Sequence, residues 1–217
     1  MSGPLALVIV GAGGFGREVL DLVRAIDPHG SLWQFVGFVA DTKPDTDLLV
    51  RIDASFLGDD ETFLQNPIAT HYAVAIGDPS LRRRVAERYE AARLRPVSLI
   101  HPSATIGSDV QIGEGSVICA HASITTNIRI GRHVHIDRLA TVGHDSVIED
   151  YVTLHPSSVI SGAVHVSSGT RVGTNACVLP GVFLSQNVIL GAGAVLTKDA
   201  DFGFTYVGVP ARPVLST

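Results

Sequence analysis

The sequence predicts a small α/β domain with a Rossmann-like parallel sheet, followed by a parallel β-helix. Apolar runs alternate with helix-like patterns in the first part of the chain, and a strict six-residue repeat occupies the second part. The pattern changes near Arg95-Pro96. We therefore expect two domains, residues 1–97 and residues 98–217.

The N-terminal domain is expected to contain three strands and two helices. Three short apolar runs predict the strands: Leu5–Val10, Gln34–Val39 and Tyr72–Ile76. Apolar residues recur at helical spacing in Phe15–Ile26 and again from Ser80 to about Arg93. Thr42–Asp47 is rich in Thr, Pro and Asp, which predicts an exposed loop.

The C-terminal domain is built on a repeat of six residues. Every sixth residue from Ile106 to Leu196 is Ile, Val or Leu, and four residues after most of these comes a small or branched one, such as Ser116 or Ala122. This period fits neither an α-helix nor a hairpin array, but it is typical of a β-helix in which three hexads form one triangular coil. We expect the aliphatic residues to point inward and to form about five coils up to Thr197.

Composition excludes several classes of function. The net charge of −5 and the absence of a basic block argue against nucleic-acid binding. No apolar run reaches the roughly 18 residues of a membrane span, and the first residues lack the charged segment of a secretory signal. Cys119 and Cys177 are too few for a disulfide framework or a metal cluster. We therefore expect a cytoplasmic protein with free thiols.

A glycine-rich segment connects the first strand to the first helix. Gly11-Ala12-Gly13-Gly14-Phe15-Gly16 matches G-x-G-x-x-G, a pattern that brings backbone N–H groups close to phosphate. NAD binding is the usual interpretation, but fewer than 100 residues precede the repeat and no dehydrogenase domain follows. A turn that needs glycine and binds nothing remains an alternative. Gly77-Asp78 either lines the same pocket with Arg82, or Asp78 caps the helix that begins near Pro79.

One histidine stands out among the six in the repeat. His144 is the third residue of the hexad that begins at Val142, which places it on an outward-facing corner, and Asp145 follows it directly. An imidazole titrates near neutral pH, as a general base in the cell requires.

With these motifs in place, the chain resembles the hexapeptide-repeat acyltransferases. More narrowly, it resembles the sugar O-/N-acetyltransferases, typified by sialic acid O-acetyltransferases and nucleotide-aminosugar N-acetyltransferases. The resemblance covers nearly the whole chain and rests on six segments: Val10–Gly16, Gly37–Asp41, Ile76–Asp78, His101–Ala104, Gly143–Ile148 and Tyr206–Ala211. It implies a left-handed β-helix, a homotrimer with active sites between adjacent β-helices, and acetyl-CoA as acyl donor.

The resemblance also implies roles for individual residues of the repeat. His144 would be the base, oriented by Asp145, which is shorter than the Glu of some relatives and is expected to reach the imidazole only loosely. The backbone N–H of Gly162, eighteen residues later, would hold the oxyanion. Thr174 and Ala192 would contact CoA. Thr153 stands where close relatives carry a second histidine, and it is assigned to the cofactor site, although His155 lies two residues further on.

For the N-terminal domain, the resemblance implies a nucleotide-sugar site. Gly11, Ala12, Gly13, Gly14 and Phe15 would bind the nucleotide and its diphosphate, with Asp41 near the base or ribose and with Gly77 and Asp78 in the same pocket. A metal site is not expected. The zinc hydratases of the gamma carbonic anhydrase type share this fold but use two histidines five residues apart, and no two histidines of this repeat have that spacing.

The function predicted on these grounds is acetyl-CoA-dependent N-acetylation of a nucleotide-linked 4-amino-4,6-dideoxy sugar. Surface polysaccharide or glycan assembly would be its setting. Two alternatives remain open: O-acetylation of a sialic acid or a related sugar, and a non-catalytic scaffold that binds a nucleotide sugar.

Overall fold

The computed structural model describes residues 3–214. The chain forms two compact units that divide between Leu99 and Ile100. In the part of the chain that is described, no helix combines the length and the apolar character needed to traverse a bilayer.

The first unit is a four-stranded parallel sheet with helices. In chain order its elements are β1 (Leu5–Val10), α1 (Gly14–Ile26), β2 (Trp33–Val39), α2 (Thr46–Arg51), α3 (Asp60–Gln65), β3 (His71–Val74), α4 (Pro79–Ala91) and β4 (Arg95–Pro96). The strand order is β2-β1-β3-β4, so β1 is central, and its residues Leu7 to Val10 are at most 1% exposed. Strands covered on both faces are typical of parallel sheets.

The prediction of an exposed loop at Thr42–Asp47 is wrong for its last two residues, because α2 begins at Thr46. Asp45 caps this helix by accepting hydrogen bonds from the backbone N–H groups of Asp47 and Leu48. Asp59 caps α3 in the same way. Both helices have six residues, which is too short for helical periodicity to be visible in the sequence.

The second unit is a parallel β-helix of about six coils, and its first strand begins at Leu99, the last residue of the first unit. Its strands follow in chain order: β5 (Leu99–Ile100), β6 (Thr105–Ile106), β7 (Val110–Ile112), β8 (Val117–Ile118), β9 (Ser123–Ile124), β10 (Ile128–Ile130), β11 (His135–Ile136), β12 (Thr141–Val142), β13 (Val147–Ile148), β14 (Thr153–Leu154), β15 (Val159–Ile160), β16 (His165–Val166), β17 (Arg171–Val172), β18 (Cys177–Val178), β19 (Phe183–Leu184), β20 (Ile189–Leu190), β21 (Val195–Leu196), β22 (Thr205–Val207) and β23 (Arg212–Val214). About five coils lie between Ile106 and Thr197, as expected, and strands before Ile106 and after Leu196 extend the stack.

Three sheets form the faces of the column. The five-stranded face contains β7, β10, β13, β16 and β19, and the six-stranded face contains β6, β9, β12, β15, β18 and β21. The remaining strands form the eight-stranded face, which ends in the antiparallel pair of β22 and β23. Residues eighteen apart are partners in neighbouring strands, as Thr141 and Val159 are. The predicted inward positions are buried from Ile118 onward, whereas Ile106, in the first coil, is 39% exposed.

Each corner of the column is a tight turn with one left-handed residue. Every sixth residue from Asp109 to Gly193 has a φ between 52° and 77°. Gly, Asn and Asp tolerate this conformation better than other residues do, and they occupy nine of these fifteen positions. The turns therefore make the corner positions of successive coils equivalent, and they fix where corner side chains point.

Candidate functional site

His144 and Asp145 form a hydrogen-bonded pair on the corner between β12 and β13. Gly143 continues the strand ladder through its N–H, which donates to the carbonyl oxygen of Ile160 at 2.8 Å. Asp145 then takes the left-handed turn position, with a φ of 61°. This turn brings Oδ2 of Asp145 to 2.7 Å from Nδ1 of His144, and 64% of the imidazole side chain stays exposed.

The pair has a defined protonation pattern. A carboxylate only accepts hydrogen bonds, so Nδ1 of His144 carries the proton that is donated to Asp145. In the neutral imidazole, Nε2 then has a free lone pair, which a general base requires. The hydrogen bond with His144, and a second one with Asn127, hold the pKa of the Asp145 carboxyl below its usual value. The expectation of a loose contact was wrong, because the left-handed turn compensates for the shorter side chain.

Gly162 lies directly against the imidazole ring, one coil after His144. A Cβ atom at this position would lie 2.6 Å from both Cε1 and Nε2 of His144. Such an approach is far inside van der Waals contact, so only glycine allows the observed ring position. Within residues 3–214, the N–H of Gly162 donates no hydrogen bond, while its carbonyl oxygen accepts one from Gly181. A backbone donor is therefore available beside the imidazole.

The other residues predicted to bind the cofactor lie elsewhere on the column. Thr174 and Ala192 follow one another on the corner between the eight-stranded and six-stranded faces, where Gly193 N–H donates to Thr174 O at 2.8 Å. Thr153 lies in β14, with His135 and Arg171 as its strand partners, and is 3% exposed. The eight-stranded face is opposite the corner of His144, so one chain does not bring Thr153 to the imidazole.

The glycine-rich segment lines a cavity of about 400 Å³ in the first unit. Of the predicted substrate-binding residues, Gly11, Ala12, Gly13 and Asp41 line this cavity, and Gly14 is the first residue of α1. Phe15, Gly77 and Asp78 do not line it. Its remaining wall combines Thr42, Lys43 and Asp60 with apolar residues: Val10, Ala40, Pro44, Ala75, Ile76, Leu81 and Val85. The cavity thus lies at the carboxyl ends of the parallel strands, where open α/β sheets bind ligands.

Glycine occupies the positions of this segment for two different physical reasons. Gly11 has a φ of 109°, and Gly16 packs so closely against the carbonyl of Gly11 that a side chain could not fit. In contrast, Gly13 and Gly14 have ordinary φ angles, and a Cβ at either position would meet nothing within 4 Å. Their missing side chains leave open space at the N-terminus of α1, which has no side-chain cap. This arrangement suits the backbone binding of an anion.

Asp78 has the role of a helix cap. It accepts hydrogen bonds from the backbone N–H of Leu81 at 2.9 Å and from the hydroxyl of Ser80 at 2.6 Å. Arg82 is fully buried, and its guanidinium donates to the carbonyl oxygens of Ile76 and Gly77. The turn after β3 is therefore fixed by these two side chains.

Comparisons with known proteins agree across both units. Residues 6–89 match the family of the PglD N-terminal domain, and residues 127–162 match the bacterial transferase hexapeptide family (six repeats). GDP-perosamine N-acetyltransferase of Escherichia coli O157:H7 is 31% identical over 213 residues, which cover 94% of each chain. The chain belongs to the hexapeptide-repeat sugar acetyltransferases.

Solved structures resemble this acetyltransferase over nearly its whole length. A histidine-to-asparagine mutant of perosamine N-acetyltransferase from Caulobacter crescentus, in complex with CoA and GDP-perosamine, has a TM-score of 0.87 at 29% identity and covers 97% of both chains. The acetyltransferase domain of PglB from Neisseria gonorrhoeae FA1090, in complex with acetyl coenzyme A, has a TM-score of 0.83 at 29% identity, with 98% and 100% coverage. The predicted fold class, including the left-handed β-helix, is confirmed.

Two residues of this acetyltransferase, Asp60 and Asn127, lie beside the predicted ones and were not predicted from the sequence. Asp60 is 2% exposed at the cavity wall, and it accepts hydrogen bonds from the Tyr89 hydroxyl at 2.9 Å and from Arg88 at 3.2 Å. Burial raises the pKa of the Asp60 carboxyl. The backbone N–H of Asp60 donates a hydrogen bond to Oδ1 of Asp41 at 3.4 Å. Asn127 contacts Asp145 and could have been found from the eighteen-residue spacing, whereas no sequence pattern indicates Asp60.

The acetyltransferase has a second histidine–carboxylate pair, which differs from the first. Nε2 of His165 lies 2.7 Å from Oε1 of Glu149, and Oε2 of Glu149 accepts from the N–H and hydroxyl of Ser168. The ring is 38% exposed and packs against Phe183. His165 is thus built into the five-stranded face, while His144 projects from a corner. In the described portion of the chain, no group of three or more His, Cys, Asp or Glu residues could hold a metal ion.

Proposed function

We propose that this acetyltransferase transfers the acetyl group of acetyl-CoA to the amino group of a nucleotide-linked 4-amino-4,6-dideoxy sugar. The observation that carries the proposal is the exposed His144 imidazole, which is hydrogen-bonded at 2.7 Å to Asp145 and leaves Nε2 free. Two of the relatives that match nearly the whole chain, one from Escherichia coli and one from Caulobacter crescentus, are named for GDP-perosamine or were solved with it. Their names support an amine as the acceptor.

The proposed reaction is a direct transfer. The sugar amine attacks the thioester carbonyl and forms the C–N bond, while Nε2 of His144 takes a proton from the attacking nitrogen. The tetrahedral intermediate then collapses, the C–S bond breaks, and the proton passes from the imidazolium to the departing thiolate. Asp145 keeps Nδ1 of the imidazole protonated and stabilises the transient positive charge.

We assign the oxyanion contact to the N–H of Gly162. This N–H has no partner within residues 3–214, and its residue lies against the imidazole, so a carbonyl attacked beside Nε2 would be within reach. Thr174, Ala192 and Thr153 remain the proposed contacts of CoA. The buried position of Thr153 makes it the least accessible of the three in a single chain.

The cavity of the first unit is the proposed site of the nucleotide. Open space at Gly13 and Gly14 and the uncapped N-terminus of α1 suit the diphosphate. Asp41 and Asp60 offer acceptors to a base or ribose, and Ile76, Leu81 and Val85 supply an apolar wall. A pocket of this composition, mostly apolar with a few polar groups, is typical of a nucleotide site.

A steady-state assay of free thiol release tests the proposal. GDP-, UDP- and dTDP-linked 4-amino sugars are compared with a free sialic acid, each in the presence of acetyl-CoA. We expect turnover with an amino sugar on one of the nucleotides, and faster turnover with a sialic acid would favour O-acetylation instead. We also propose that the chain forms a homotrimer, so mass measurement in solution is expected to give three times the chain mass.

His144→Ala tests the catalytic role. We expect kcat to fall by about 10²- to 10⁴-fold, because the substitution removes the general base. The melting temperature should stay unchanged, since the side chain is 64% exposed. Unchanged turnover would reject the assignment, and a wild-type protein that binds the nucleotide sugar without turnover would favour the non-catalytic scaffold.

A further inference from the structure

Asn127 occupies the same corner as Asp145, one coil earlier in the column. The two residues are eighteen apart, and both take the left-handed turn position, with φ angles of 54° and 61°. Nδ2 of Asn127 lies 2.6 Å from Oδ1 of Asp145. The other carboxylate oxygen, Oδ2, receives the hydrogen bond from His144. Asn127, Asp145 and His144 therefore form a continuous chain of hydrogen bonds on one edge.

We propose that Asn127 is a positioning residue for acetyl transfer, which holds the Asp145 carboxylate so that Oδ2 faces Nδ1 of His144. This inference rests on the proposed role of His144 as the base. Asn127 does not touch the reacting atoms and acts only through Asp145.

The chemistry of the contact supports this role. A carboxylate accepts hydrogen bonds and donates none, so the amide nitrogen of Asn127 must face it. A carboxylate held at one oxygen can rotate about its Cβ–Cγ bond, whereas bonds at both oxygens fix its plane. Because the amide is neutral, it fixes the carboxylate without neutralising the negative charge that the imidazolium needs. A lysine or arginine at position 127 would compete with His144 for that charge.

The surroundings of Asp145 contain no substitute for Asn127. Among residues 3–214, the side chains that donate to its carboxylate are those of His144 and Asn127. The backbone N–H of Asp145 is bonded to the carbonyl oxygen of Thr126 at 3.2 Å. On the next coil, the equivalent corner residue is Ala163, which has no side-chain donor. Removing the Asn127 amide therefore leaves Oδ1 of Asp145 to water.

Asparagine could also be present only because it tolerates the left-handed turn. Asn187 provides the comparison, since it has the equivalent turn position on another corner, with a φ of 59°. Within the described residues, its side chain makes no hydrogen bond. Asn127→Gly and Asn187→Gly keep the backbone conformation accessible and remove one amide each, so they form a matched pair.

The experiment measures kcat, both KM values and the melting temperature of these variants. Asn127→Gly should lower kcat about 3- to 10-fold with both KM values unchanged, whereas Asn187→Gly should keep the wild-type kcat. Asn127→Asp keeps the size of the side chain but replaces the donor by a second negative charge 2.6 Å from Asp145. We expect it to lower kcat more than Asn127→Gly does, with the protein still folded.

A double-mutant cycle separates positioning from structure. In an Asp145→Ala background, Asn127→Gly should change kcat by less than about 2-fold, because the partner through which it acts is gone. An equal factor in both backgrounds, or an unchanged kcat for Asn127→Gly alone, would overturn the inference. His144→Ala is measured alongside: if that variant keeps its turnover, the proposed function itself fails.

Discussion

The substitution Gly162→Ala tests most directly the packing around His144, the proposed general base. The added Cβ would lie 2.6 Å from Cε1 and Nε2 of His144. Since carbon atoms in contact are 3.5–4.0 Å apart, the ring must move by about 1 Å. The imidazole is the part that yields, because its side chain is 64% exposed, and the φ of Gly162 does not require glycine.

We expect Gly162→Ala to lower kcat by about 10²-fold, the effect of a 1 Å misplacement of a catalytic group. The melting temperature should change little. The assay is thiol release at saturating acetyl-CoA and amino sugar, and the matched control is Gln186→Ala. Gln186 has the same hexad position as Gly162 on another corner, and its side chain is exposed.

Two results would refute this reasoning. One is a Gly162→Ala enzyme whose kcat is within 2-fold of the wild type although His144→Ala is inactive. The other is a double variant, Gly162→Ala with His144→Ala, that is about 10²-fold slower than His144→Ala alone. The second result would mean that the added methyl group slows the reaction without displacing the imidazole.

Two further predictions concern the first unit. Gly13→Ala should weaken the binding of the nucleoside diphosphate at least several-fold, as measured by calorimetry. The melting temperature should stay unchanged, because the new Cβ meets only open space within the protein. Equal affinity of the variant and the wild type would show that no ligand approaches Gly13. Asp27 accepts hydrogen bonds from the backbone N–H groups of Trp33 and Leu32. These hydrogen bonds, of which the one from Trp33 has the larger effect, lower the pKa of the Asp27 carboxyl from 3.8 to about 2. Its carboxylate therefore stabilises the fold above pH 3.8, and this contribution is lost as the pH falls through about 2. Asp27→Asn should lower the melting temperature at pH 7, and the difference from the wild type should shrink below pH 4; a constant difference would contradict the hydrogen-bond account.

The six-residue period made most of the β-helix predictable. Burial of one aliphatic residue in each hexad determines the three-sided column, and this also placed His144 on a corner and Gly162 one coil away. The exposure of Ile106 was not predictable, because the period does not reveal which coil ends the stack. Helices α2 and α3 were missed because their stability comes from the caps at Asp45 and Asp59 and from packing, not from a repeated apolar face.

The contacts of Asp145 depend on backbone conformation, which a pattern of side-chain types does not contain. From its length alone, Asp145 was expected to reach His144 poorly. The left-handed conformation of Asp145 turns the chain at this corner, and the two side chains lie 2.7 Å apart. Because every coil repeats this turn, the same conformation places Asn127 against Asp145. The regular coils therefore align two pairs of residues that are eighteen apart. His144 lies beside Gly162 in one row of the corner, and Asn127 lies beside Asp145 in the adjacent row. His144 and Asp145 lie on a solvent-exposed edge and are held in place by residues of neighbouring coils. If they act as the proposed base and its partner, substitutions one coil away should affect the reaction before they affect the fold.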